Sequence, residues 1–153
     1  FESHLRYGIA FWGCTSRYLL NVLVVLQKKA VRSIVNVSQR ESCRPLFKEI
    51  KILTLISLFI LETSSLIHKH VRGNSGPMHQ RNTRRVRDLR LPIPVSALTR
   101  NSFIYNGRKI FNHLPAAIKE ITDLKAFKKS LKRLLMEKTY YTIDEFYSDS
   151  LES

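Results

Sequence analysis

A chain of 153 residues, 44% of them hydrophobic, can bury one ordinary core or two small ones, which excludes a chain disordered throughout. Its 26 lysines and arginines face 12 aspartates and glutamates, a formal charge of +14 that repels itself until counter-charge arrives, most commonly as nucleic acid. The longest apolar runs, Leu19 to Leu26 and Ile52 to Leu61, fall short of the roughly 20 residues a membrane crossing takes, and no secretory leader precedes them. The expectation is therefore an intracellular protein, nuclear or cytoplasmic, with no membrane partner.

The chain opens on Phe1 and runs straight into apolar and aromatic residues, so it reads as a piece of something longer. Leu5, Ile9 and Trp12 recur at helical spacing and predict a short helix ended by Gly13. Thr15 or Ser16 can cap a second, longer helix. In it Leu19, Leu23, Leu26, Ala30 and Ile34 make one stripe, Leu20, Val24, Val31 and Val35 widen it, and Lys28, Lys29 and Arg32 form the polar side. Asn36-Val37-Ser38 fits a glycosylation pattern, read here as a chance match on a loop. Ser42 then caps a short helix that tolerates Pro45 in its first turn and turns Leu46, Phe47 and Ile50 inward. Thr54 opens a further helix from about Leu55 to His70, with Leu55, Leu58, Phe59, Glu62 and Leu66 on one side. Residues 1–71 thus read as a helical bundle.

Residues 72–90 lose this periodicity. Gly73, Asn74, Ser75, Gly76 and Pro77 lead into Arg81, Arg84, Arg85, Arg87 and Arg90, a basic flexible linker expected to order on phosphate. Asp88, the only acidic residue between Thr63 and Lys119, is expected to pair inside that arginine cluster. Leu91-Pro92-Ile93-Pro94-Val95 must be extended, because each proline pushes its predecessor out of the helical region. Ser102 starts a helix with Phe103, Gly107, Ile110 and Leu114 on one face and Arg108 and Lys109 outside, closed by Pro115. Gly107 within it costs about 1 kcal/mol against alanine, so a close neighbour is expected over it. Asp123 caps the clearest amphipathic helix, in which Leu124, Phe127, Leu131 and Leu134 oppose Lys125, Lys128, Lys129, Lys132 and Arg133. These elements make a C-terminal helical module over 91–147. Beyond Lys138 the charge reverses, with Asp144, Glu145, Asp149 and Glu152 among Tyr140, Tyr141, Phe146 and Tyr147. That segment, ending in the acidic tail 148–153, either packs back on the basic helices or frays.

No carboxylate pair is placed for two-metal chemistry, since Asp88 is taken as an ion-pair partner, Asp123 as a cap, and Asp144 and Glu145 as tail residues. The five histidines are scattered, and His68 and His70, two apart on a helix, point in different directions. No phosphate loop, nucleophile elbow or HExxH pattern occurs. Cys14 and Cys43 lack zinc spacing and read as reduced, mostly buried thiols. No catalytic or metal-binding residue is assigned, and no cofactor is expected in this chain. Nucleic-acid binding falls to Lys28, Lys29, Arg32, Arg81, Arg84, Arg85, Arg87, Arg90, Arg108, Lys109, Lys128, Lys129, Lys132 and Arg133, whose helical members could track a phosphate backbone. Tyr105 beside Arg108 and Tyr7 beside Arg6 could stack on bases, with core filling the more ordinary fate of each. The alternative is a structural module whose apolar helices pack on a partner and leave a broad face uncovered in isolation. Membrane-surface binding by the helix after Asp123 is not expected, because its apolar side is a narrow seam without tryptophan.

Several blocks together carry a family likeness. The run from Ser3 to Gly13, then Leu26 to Ile34, Ser42 to Lys48 and Ile52 to Leu55 resemble successive parts of one helical region. Asn82-Thr83-Arg84, Leu91-Pro92, Tyr105 to Pro115 and Phe127 to Lys132 follow in the same order. Over nearly its whole length the chain resembles the C-terminal end of the polymerase polyprotein of a jockey-like non-LTR retrotransposon, beyond the reverse-transcriptase palm. The resemblance implies a mostly α protein: a thumb-like helical bundle, a basic linker, and a small helical module with an extended proline-containing segment. It also implies a hold on the RNA and DNA of a template-primer duplex while the palm and fingers of the same polyprotein, which need Mg2+, polymerise DNA on RNA. The aromatic-x-Asp-Asp motif of the palm is absent from this sequence, so polymerase activity does not carry over and the chain on its own is not expected to be an enzyme.

Overall fold

The computed structural model describes residues 2–14, 17–73, 88–93, 96 and 101–149, and among these the protein is mostly α, with nine helices and no strand. In chain order they are α1 (Glu2–Arg6), α2 (Ile9–Trp12), α3 (Arg17–Val35), α4 (Cys43–Glu49), α5 (Leu55–Gly73), α6 (Phe103–Asn112), α7 (Ala116–Lys119), α8 (Leu124–Lys138) and α9 (Ile143–Asp149).

The single helix expected at the start is two, because Gly8 takes φ 64, a left-handed conformation that breaks the ladder. The Trp12 indole N–H bridges the break by donating to the Tyr7 carbonyl at 2.8 Å. Tyr7, expected to fill core, is 88% exposed instead. It lies on the turn itself, outside the helical face that buries Ile9 and Ala10.

Helix α5 is the hub. Every residue from Leu55 to Leu61 is buried, so its first half is covered round its whole circumference, where a one-sided stripe was expected. Leu66, placed on that stripe, is 39% exposed. Phe59 lies against Gly13, and Glu62 pairs with Arg6 at 3.2 Å, so α1 and α2 cover one side. Gly107 of α6 covers another. A Cβ there would sit 2.8 Å from Ile67 Cγ1 and 3.2 Å from Thr63 Cγ2, which is the close approach the sequence predicted. On a third side His68 stacks on Phe127 of α8 with ring centroids 4.4 Å apart, and its Nε2–H donates to the Ile121 carbonyl at 2.7 Å. One hydrophobic core runs from Ile9 through α5 to Phe127, Leu131 and Phe146, so the segments before and after residues 74–87 share it. A smaller cluster of Val31, Cys43, Leu46 and Phe47 joins α3 to α4.

The local start signals hold where side chain and backbone lie three residues apart. Ser102 accepts from the Tyr105 N–H at 3.2 Å, Asp123 from Ala126 at 2.7 Å, and Thr54 from Ser57 at 3.1 Å, each cap contributing about 1 kcal/mol. Thr54 also donates to the Tyr140 carbonyl at 2.6 Å, which ties the start of α5 to the end of α8. The chain can turn back there because Thr139 takes φ 49 at the C-cap. Ser42 has the extended N-cap backbone without a capping side-chain bond.

The orientation of α3 departs from expectation. Leu20, Val24, Gln27 and Val31 face inward, while Leu19, Leu26 and Ile34 of the expected stripe are exposed. Gln27 settles the rotation, since its amide donates to the Leu53 carbonyl at 2.9 Å and accepts from the Leu55 N–H at 2.7 Å, satisfying the approach to α5. Replacing Gln27 by leucine strands both backbone groups in the core. The expected cost is about 2 kcal/mol, read as a fall in the midpoint of urea unfolding at unchanged slope.

Candidate nucleic-acid interface

Helix α4 packs between α3 and α8, and this brings basic side chains from three helices together. Lys28 of α3 sits 3.5 Å above the centre of the Tyr141 ring, and the Arg44 guanidinium of α4 lies 5.0 Å from the same centre. Arg44 and Lys48 are one turn apart on α4 and share a face. Lys48 in turn lines a shallow depression of about 470 Å³ with Lys129, Lys132, Arg133, Met136 and Glu137 of α8, four cations to one carboxylate. The links Lys28–Arg44, Arg44–Lys48 and Lys48–Lys129/Lys132/Arg133 therefore chain three helices into one basic band.

The band is held in place from behind. Tyr141 packs edge-on against Phe47 at 6.2 Å, so the ring that Lys28 and Arg44 share is itself fixed by the smaller core cluster. Cation–π contact of this kind contributes about 0.5–2 kcal/mol and, more usefully, orients the two cations. Glu145 accepts from Arg44 at 3.1 Å and from the Tyr141 N–H at 2.8 Å, while its own N–H donates to Thr142 Oγ1 at 3.1 Å. This is a capping-box pattern displaced by one residue at the start of α9. The Arg44–Glu145 pair is exposed and adds less than about 1 kcal/mol. Burial is the main reason the Lys28 pKa is lowered, with Arg32 and Arg44 acting in the same direction and Cys43 and Glu145 against it. Burial is likewise the largest cause that pushes the Tyr141 phenol up to about 12.

The remaining predicted residues fall elsewhere. Arg32 donates to the Glu41 carbonyl through Nε at 3.0 Å and Nη2 at 2.8 Å, closing the α3–α4 loop. Lys29 lies about 100° round α3 from Lys28, on the solvent-facing side. Lys128 is exposed on α8 outside the depression shared with Lys48. Arg108 donates to the Arg90 carbonyl at 2.8 Å, and Lys109 sits 4.6 Å over Tyr147. Among the described residues, these three make no contact with the α3–α4–α8 band. Arg81, Arg84, Arg85 and Arg87 lie outside the described residues. Asp88 pairs with Lys119 at 2.9 Å, as α7 brings the lysine to it, and the arginines 81–87 expected around it lie outside the described residues. Arg44 and Lys48 were missed, although their spacing of four in a short helix was a readable sign. The cationic clamp on Tyr141 joins positions too far apart in sequence to be read there.

The acidic segment as far as Asp149 packs back, residues 150–153 lying outside the described residues: Asp149 accepts from the Tyr140 hydroxyl at 2.5 Å and from Lys138 at 3.0 Å, and these bonds hold its carboxyl below the usual range. Magnesium, which the resemblance assigns to the parent polymerase, is not what Asp88, Asp123 and Asp149 are placed for: Asp88 is ion-paired, Asp123 caps α8 and Asp149 is held by Tyr140 and Lys138. No group of three or more His, Cys, Asp or Glu among them is arranged to hold a metal ion, and no described helix is long and apolar enough to cross a membrane. Cys14 is half-buried, and burial pushes its thiol up to about 11. At pH 8 it is therefore expected to resist alkylation by iodoacetamide, with labelling rising steeply only towards pH 11, as followed by intact-mass spectrometry. Comparison with protein-family models, curated proteins and solved structures finds no match to this chain.

Proposed function

We propose that this chain binds a nucleic-acid duplex through the band formed by Lys28, Arg44, Lys48, Lys129, Lys132 and Arg133, as the non-catalytic thumb and post-thumb part of a retrotransposon RNA-directed DNA polymerase. The observation that carries the binding is the meeting of cations from α3, α4 and α8 on one side, with Tyr141 fixing two of them. The order of the sequence blocks supports the polymerase origin, and template-primer is then the duplex held. Strand phosphates replace the missing counter-charge, and each neutralised phosphate releases bound counterions into solution. Side chains already oriented on a ring or in a shared depression lose less freedom on contact than free lysines do. The band carries no base-reading geometry, so binding is sequence-tolerant. Chemistry at the primer end belongs to the palm and fingers of the same polyprotein, with nuclear or cytoplasmic nucleic acid as the setting.

The test is fluorescence anisotropy with a labelled RNA:DNA hybrid at several salt concentrations. Affinity is expected to fall by orders of magnitude between roughly 50 and 200 mM salt. Absent or salt-insensitive binding overturns the reading.

A further inference from the structure

Helix α3 is apolar on two opposite sides. At about 100° per residue, Leu20, Val24, Gln27 and Val31 centre on the core, and Leu19, Val22, Val25 and Leu26 fall within an arc of about 120° on the far side. Those four are 53%, 41%, 50% and 53% exposed. Together they leave on the order of 300 Å² of apolar surface in water, the scale of patch that marks a contact site. An apolar helix side of this extent is ordinarily covered, so this arc lacks a cover that its sequence anticipates.

Lys29 tells what the cover carries. It lies on the same arc, one turn beyond Val25 and Leu26, exposed and without a partner among the described residues. Helix α3 holds no acidic residue at all. A second copy of this helix laid on it would therefore offer Lys29 no carboxylate, on a chain already at +14, which disfavours self-association. We propose that the Leu19–Val22–Val25–Leu26 arc is the docking face for an amphipathic helix of a partner protein, one with an apolar stripe followed, about one turn on, by a carboxylate that meets Lys29. This inference is independent of the nucleic-acid band, whose members lie on the other sides of α3 and on α4 and α8.

The test uses the full chain and a labelled synthetic helix of about 18 residues with a leucine stripe and glutamates placed one turn beyond it. A matched peptide carries lysines in place of those glutamates. The glutamate peptide is expected to bind at least about tenfold more tightly than the lysine peptide. Val22→Asp is expected to abolish that binding while leaving affinity for the RNA:DNA hybrid unchanged, and a reversal of lysines 48, 129 and 132 should do the opposite. Lys29→Glu, which leaves the apolar arc intact, is expected to invert the peptide preference. Equal binding of both peptides, binding that survives Val22→Asp, or no binding of either overturns the proposal. So does a wild-type dimer in sedimentation that Val22→Asp dissociates, since the occupant is then a second copy. Binding to phosphatidylserine vesicles lost in Val22→Asp also overturns it, in favour of a lipid surface. Loss of hybrid binding with intact peptide binding would sink the nucleic-acid reading alone.

Discussion

Changing Lys48, Lys129 and Lys132 together to glutamate is expected to weaken binding to an RNA:DNA hybrid by about 100-fold at 100 mM salt, and to lower the logarithmic salt slope by about 3. The three are exposed and line one depression, so the change reverses the sign of the field where α4 meets α8 without touching the core. Surface substitutions of this kind move stability by about 0.5 kcal/mol or less, so an unchanged thermal midpoint is part of the expected result. Reversing Arg90, Arg108 and Lys109 serves as the control, because these make no contact with the band. If the control variant loses as much affinity as the first, binding follows net charge and the band has no special role. Paired salt titrations of the two variants decide between them.

Phe127→Ala is expected to produce the largest loss of stability, about 3–5 kcal/mol and on the order of 10 °C in Tm. Phe127 is fully buried, stacks on His68 and faces Phe111 at a centroid distance of 6.1 Å. Its removal opens a cavity where α5, α6 and α8 meet. It also takes away the surface that holds the His68 ring in line with the Ile121 carbonyl. Because the core is continuous, calorimetry should show one transition that moves as a whole. Separate melting of the two ends would mean that the segments before and after residues 74–87 fold independently, and that α8 contributes little to α5.

What could be read from the sequence follows the range of the forces involved. Caps at Thr54, Ser102 and Asp123 were legible because a hydroxyl or carboxylate bonds an N–H only three residues away. Gly107 was legible because glycine inside a helix needs a reason, and Ile67 supplies it. The facing of α3 was not, since a helix apolar on two sides offers two stripes of equal merit, and Gln27 chooses between them using groups some 26 residues on. The same limit hid the pairing of Asp88 with Lys119 and the placing of Lys28 and Arg44 on Tyr141. Part of the basic face was visible as helical spacing on α8. The band itself was not, because its middle comes from α4, a helix of 7 residues too short to stand out in periodicity.

The central position of α5 has a consequence for synthesis. Once residues up to about 90 have emerged from the ribosome, this helix can already rest on what precedes it, yet the side meant for Gly107 and the side meant for Phe127 are still bare. The growing chain must therefore carry an oily flank through the time needed to translate some forty further codons, a window in which a chaperone has more to grip than it will ever have again.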